Sequence, residues 1–251
     1  MMASIRARMG MTITPMIMTM ITGIRMTHDA SQYRLLAWLS PSFPVGAFSY
    51  SHGLEYAVEA GLVTHRDGLV EWIATLLRHG AGLNDAILFA GAWRAMARRN
   101  RAALREIIEL AAAMRPTAEM ALETQAQGAA FIRAIRDAWP HPGIDDILQM
   151  EPVISYPVAV AICSQAHGIA ARPALEAYLH AFTANLISAG VRLIPLGQTD
   201  GQKALRMLEP DAAHAAHMAE ILPLTETGGA ALMQDYCSSK HETQYTRLFR
   251  S

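Results

Sequence analysis

Apolar residues along most of this chain return every three or four positions rather than every second one. Leu104, Ile107, Ile108 and Ala111 follow the i, i+3, i+4, i+7 rule that turns one stripe of a helix toward a core. Similar spacing predicts helices over about 33–39, 48–60, 66–80, 85–99, 117–139, 157–169 and 173–193, a shorter pair near 198–208 and 212–222, and a last one from about Ala230 to His241. Polar punctuation agrees. Asp29 with Gln32 and Thr64 with Asp67 have capping-box spacing, and Asn84 suits an N-cap. Pro41, Pro116 and the His-Pro-Gly at 141–143 stop helices, whereas Pro157 and Pro173 suit first turns. Thr124 and Gly128, one turn apart, would let a neighbouring backbone come close.

Nothing in the chain alternates with period two, no Asn-Gly or Asp-Gly hairpin joins strand-like runs, and no repeat of fixed length occurs. The reading is all-α: a single compact helical domain of about ten helices with short connections and no linker. The first 26 residues stand apart. They hold eight of the fifteen methionines around Pro15 and carry no small-residue cleavage site, so they read as a start placed too early, with Met26 the true start, or as a disordered tail. The domain then spans 27–251.

Composition narrows the class. At 52% hydrophobic and 17% charged the chain belongs with ordered globular proteins, and a net charge of -1 gives no whole-molecule field for nucleic acid or anionic lipid. Its apolar runs are interrupted by Pro, Gln, His, Asn or Arg within a membrane-spanning length, so they read as buried helices. Two isolated cysteines, Cys163 and Cys237, exclude a disulfide framework and point to a reducing cytoplasm. Cys163 reads as a buried thiol and Cys237 as a more exposed one. The helix with Leu179 and Leu186 is apolar enough for the core or for a dimer seam.

Candidate chemistry is sparse. "SPSFPVGAFSYSHGLE" (40–55) places Ser49 and Ser51 beside His52, which invites a hydrolase reading, but a nucleophile elbow needs a strand leading into the serine. "HAAHMAE" puts His214 and His217 at i, i+3, a metal-ligand spacing that lacks completing ligands. His52, His65, His79, His167 and His180 lie among apolar residues and read as core or interface histidines. "PLGQTDGQKAL" from Pro195 has glycines before a helix but not the spacing of a phosphate loop. The terminal "HETQYTRLFRS" mixes Tyr245, Leu248 and Phe249 with arginines, the composition of interface anchors rather than of a frayed end.

Three of these stretches in this order, "SPSFPVGAFSYSHGLE", "VRLIPLGQTDGQ" and "HETQYTRLFRS", together with "ETQAQGAAF" and "YPVAVAICSQAHGI", resemble the urease accessory protein UreF family over about residues 32–251. The resemblance implies an all-helical homodimer without catalysis, cofactor or metal site of its own. It implies a scaffold that binds UreD (also called UreH), recruits the GTPase UreG and serves nickel insertion into the urease apoprotein. Two roles are proposed for the family, modulation of GTP hydrolysis by UreG and a part in a nickel path. Carried onto this sequence, the partner-binding residues are Phe48 and Tyr50 in the loop, Arg192 with Gln198, Asp200 and Gln202, and Tyr245, Arg247, Leu248 and Phe249 in the tail. The tail is expected to insert near Phe48 once UreD is bound. Two readings from the residues stay beside it: a hydrolase using Ser51 and His52, and a nickel chaperone built on His214 and His217.

Overall fold

A helix without a polar face must be covered on all sides, and two such helices set the centre of this fold. In the computed structural model, which describes residues 30–151 and 153–251, they are Ala81–Ala97 and Tyr156–Ala166. In chain order the helices are α1 (Ala30–Trp38), α2 (Leu54–Glu59), α3 (Arg66–His79), α4 (Ala81–Ala97), α5 (Arg101–Ala113), α6 (Ala118–Ala138), α7 (Pro142–Met150), α8 (Tyr156–Ala166), α9 (Ala171–Leu193), α10 (Gln198–Ile221) and α11 (Leu232–His241). No strand occurs among the described residues, as expected for an all-α chain. Ser31–Ser251 packs as one unit. The expectation for 1–26, and Asp29 of the first capping box, fall outside the described residues.

Helix α4 buries Ala86, Ile87, Leu88, Phe89 and Ala90 in unbroken succession and packs on α8, which buries Pro157 through Ser164. Helices α3, α5, α9 and α10 cover α4, while α6 covers α8. Leu104, Ile107, Ile108 and Ala111 of α5 are buried as their spacing requires. Leu179 and Leu186 have no exposed surface, so these two side chains belong to the core. The Thr124 and Gly128 pair does what its spacing suggested: Thr124 Oγ1 accepts from Tyr156 N at 3.2 Å, and a Cβ at Gly128 would lie 2.0 Å from Ile154 O. No helix among the described residues is long and apolar enough to cross a membrane.

Several local expectations are corrected. The pair near 198–208 and 212–222 is one helix, α10, running through Pro210. An interior proline costs about 3 kcal/mol, but the stripe Gly201, Ala204, Leu208, Asp211, Ala215 and Ala219 stays in helical register across it. Burial of that stripe and the Arg78–Asp211 ion pair at 2.5 Å hold the helix together. The helix expected over 48–60 forms only from Leu54, because His52 and Gly53 adopt left-handed φ angles of 54° and 74°. His65, not Thr64, caps α3 by accepting from Gly68 N at 3.0 Å. Asn84 lies inside α4 and accepts instead from Gly228 N at 3.0 Å. His65, His79 and His180 are exposed, unlike His52 and His167. Cys237 is fully buried, and burial pushes its thiol up to about 11.

Candidate docking site

The stretch Ser49–Glu55 is a receptor for the end of the chain. Ser51 N donates to Ser251 O at 2.9 Å, and Arg250 N donates to Ser49 O at 2.8 Å. The Ser51 hydroxyl also donates to Ser251 O and accepts from Glu55 N at 3.3 Å. Four residues on, Glu55 Oε1 accepts from Leu248 N at 2.6 Å and Oε2 from Phe249 N at 2.9 Å. Gly53 is required between them. Its left-handed backbone rests on α11, where a Cβ would sit 2.5 Å from Ser238 N.

Arg192 fastens loop to tail from the last turn of α9. Its Nη2 donates to Phe48 O at 2.8 Å, its Nε to Ser188 O at 3.2 Å, and its guanidinium stacks 4.3 Å from the Phe249 ring centroid. Three separate sequence motifs therefore meet at one side chain. Arg192→Ala is expected to lose about 1–2 kcal/mol, the scale of a charge-assisted hydrogen bond with a partly exposed cation–π contact, and to make the tail more susceptible to limited proteolysis. Arg192→Lys keeps the charge without the planar fork, so its midpoint in urea should fall between the two.

Beneath this edge the acids of α6 form a row. Glu119 accepts from Arg247 Nη1 and from His241 Nδ1. Glu123, buried, accepts from Ser251 Oγ at 2.7 Å and Gln127 Nε2 at 2.9 Å and pairs with His52 Nε2 at 2.9 Å. Burial alone would pull the His52 pKa down, but Glu123 outweighs it and the net shift is upward. The pair therefore stabilises the fold fully below the ordinary value near 6.5 and loses that contribution as pH rises through the raised value. Deeper in, Arg115 pairs with Asp85 at 2.9 Å, and Asp85 accepts from the Tyr178 hydroxyl at 2.8 Å. A cavity of about 190 Å³ lies between the loop and α9, and a second of about 220 Å³ lies against α11; His52, Arg115 and Met120 line both.

The predicted site residues fall into three groups. Phe48, Tyr245 and Leu248 are exposed along the joined loop and tail, with Arg247 beside them. Tyr50 and Phe249 are buried, so their rings build the edge from within. Asp200 turns toward Arg66 and Lys203 at 3.6 and 3.5 Å, and Gln198 and Gln202 are exposed on α10; among the described residues no hydrogen bond or ion pair joins these three to the loop or the tail. The tail sits beside the Phe48 loop, joined to it through Arg192 and the Ser49 and Ser51 backbone. Glu55, Glu119, Glu123 and His241 escaped the sequence reading; the available signal was acids at 119 and 123 in register with the apolar Met120 and Phe131 face.

Ser51 and His52 are not paired as nucleophile and base. The Ser51 hydroxyl is buried and committed to Ser251 and Glu55, while His52 turns to Glu123. His214 and His217 are exposed on α10, and no group of three or more His, Cys, Asp or Glu side chains among the described residues is arranged to hold a metal.

The sequence profile of the UreF family matches residues 63–209. The chain is 51% identical over 225 residues to the urease accessory protein UreF of Rhodopseudomonas palustris strain BisB5, covering 89% of this chain and 93% of that one. It is 52% identical over 219 residues to the UreF of Bradyrhizobium sp. strain BTAi1, covering 87% and 91%. Against the UreF of Granulibacter bethesdensis it is 51% identical over 226 residues, covering 90% and 96%.

Proposed function

The chain belongs to the urease accessory protein UreF family, and on that premise we propose that it is a non-catalytic scaffold whose loop-and-tail edge binds UreD/UreH and recruits the GTPase UreG for nickel insertion into the urease apoprotein. One observation carries the reading. The chain invests Ser51, Glu55, Glu119, Glu123 and Arg192 in seating a short tail, and the result leaves Phe48, Tyr245 and Leu248 facing outward. Large apolar side chains at a rigid rim are the usual anchors of a protein interface. The scaffold acts as a homodimer in the cytoplasm, a setting that suits its free thiols at Cys163 and Cys237. A nickel path through the scaffold would use the two cavities that share the His52, Arg115 and Met120 wall.

Size-exclusion chromatography of the protein mixed with UreD and UreG tests this, with co-elution expected. Elution of the wild-type chain alone, with both partners folded, overturns it. Arg247 gives the sharper form. Its side chain is 40% exposed and pairs with Glu119, and such a pair contributes less than about 1 kcal/mol to the fold. Arg247→Ala should keep its helicity by circular dichroism while weakening UreG recruitment about tenfold, the equivalent of one interface contact of about 1.4 kcal/mol. A loss of helicity would instead make Arg247 a structural residue.

A further inference from the structure

Arg115 is buried with donors that no acceptor meets. Its side chain is 7% exposed, and neither Nε nor Nη2 has a hydrogen-bond partner among the described residues. Asp85 Oδ1 lies 2.9 Å from Nη2 and balances the charge, but the contact does not run along an N–H bond. Leaving a buried donor unmet costs about 1–3 kcal/mol, so buried guanidinium groups normally donate to something. His52 lines the same cavity and repeats the pattern: Nε2 pairs with Glu123, while Nδ1 is buried without a partner among the described residues. Against the pull of burial, Glu123 raises the pKa of this ring and favours the form in which Nδ1 also donates.

These groups open on the cavity of about 220 Å³ against α11. Two helices begin on its wall. Ala81 and Asn84 stand in the first turn of α4, Ala231 is the N-cap of α11, and neither N-terminus is capped by a side chain. Each helix start adds roughly half an elementary positive charge from its unmatched amides. The one acid on this wall among the described residues is Asp235, and burial raises its pKa toward the neutral form. Asp85 and Glu123 line the neighbouring cavity instead. With a water molecule taking about 30 Å³, the space admits a small ion together with several waters.

We propose that this cavity is a binding site for a small free oxyanion of the phosphate or carboxylate kind, held by the Nε–Nη2 edge of Arg115 and by His52 Nδ1 between the first turns of α4 and α11. A guanidinium edge presents two parallel N–H bonds, the geometry that two oxygens of one anion match. The site lies within this chain, so a failed recruitment experiment leaves it standing, and its own failure leaves the scaffold reading standing.

The test titrates the full chain with inorganic phosphate, and separately with formate, at an ionic strength held constant by chloride. Calorimetry should show one saturable site per chain with Kd at or below about 1 mM for at least one of the two ions, and the Arg115 Nε–H resonance in NMR should shift over the same concentrations. Asp85→Leu combined with Arg115→Leu leaves no charge stranded and should weaken binding at least about tenfold, the scale of a lost charge-assisted hydrogen bond. Asp235→Asn removes the acid from the wall and should tighten binding about threefold, the scale of a partly exposed charge pair; a merely structural role for these residues would not produce a gain. Saturation by neither ion overturns the proposal, because the donors are then met by water alone. An Arg115 resonance that moves equally in chloride overturns it too, as does binding unchanged in the double variant. Should the double variant fail to fold, the wild-type resonance and Asp235→Asn decide.

Discussion

Asp85→Ala is expected to cost the fold about 3–5 kcal/mol, because removing one partner of a buried ion pair strands the other charge. The Arg115 side chain is 7% exposed and pairs with Asp85 at 2.9 Å; burial works against its charge, and Asp85 outweighs that and raises its pKa. The Tyr178 hydroxyl loses its acceptor in the same step. Urea unfolding should show a lower midpoint at an unchanged slope, since the surface exposed on unfolding stays the same. Replacing Asp85 and Arg115 together by leucine should recover most of the loss, because no charge is then left buried. A single-mutant loss under about 1 kcal/mol would falsify the assignment of a desolvated pair.

Gly128→Ala should be comparably severe for a steric reason. The new methyl carbon would stand 2.0 Å from Ile154 O and 3.0 Å from Ser155 C, both backbone atoms at the entry to α8. Overpacking ordinarily costs about 1–3 kcal/mol; here the neighbour cannot swing away, and the Thr124 to Tyr156 bond breaks as α6 and α8 separate. At least about 3 kcal/mol is expected, against a gain of about 1 kcal/mol from helix propensity. Calorimetry reads the difference as a lowered Tm. Gly201→Ala is the control: its methyl would meet side-chain carbons of Val191 and Ile187 at 3.2 and 3.4 Å, which yield more easily, and the Tm should barely move.

Helices were legible where a local pattern carries the information. The α5 stripe, the Thr124 and Gly128 approach and the proline at the start of α8 all depend on residues within a few turns. Pro210 was misjudged because local chemistry says break while α3, α4 and α9 hold the helix from outside. The candidate docking edge was half legible: its loop and tail stood out by composition, but not which residues join them. Glu55 finds the Leu248 amide across 193 positions and Glu119 finds Arg247 across 128, separations that leave no periodic trace. Tyr50, Phe249 and Cys237 looked available for the same reason, since the segments that cover them lie far away in sequence or follow in the tail.

That separation has a consequence for the order of assembly. Ser51 meets Ser251 across 200 residues, and contacts so distant must repay a large closure entropy, which places them late in folding. During synthesis the helical body can form while its rim is still unmade. A polypeptide clipped before residue 247 would keep its helices yet lack the contacts that join loop and tail.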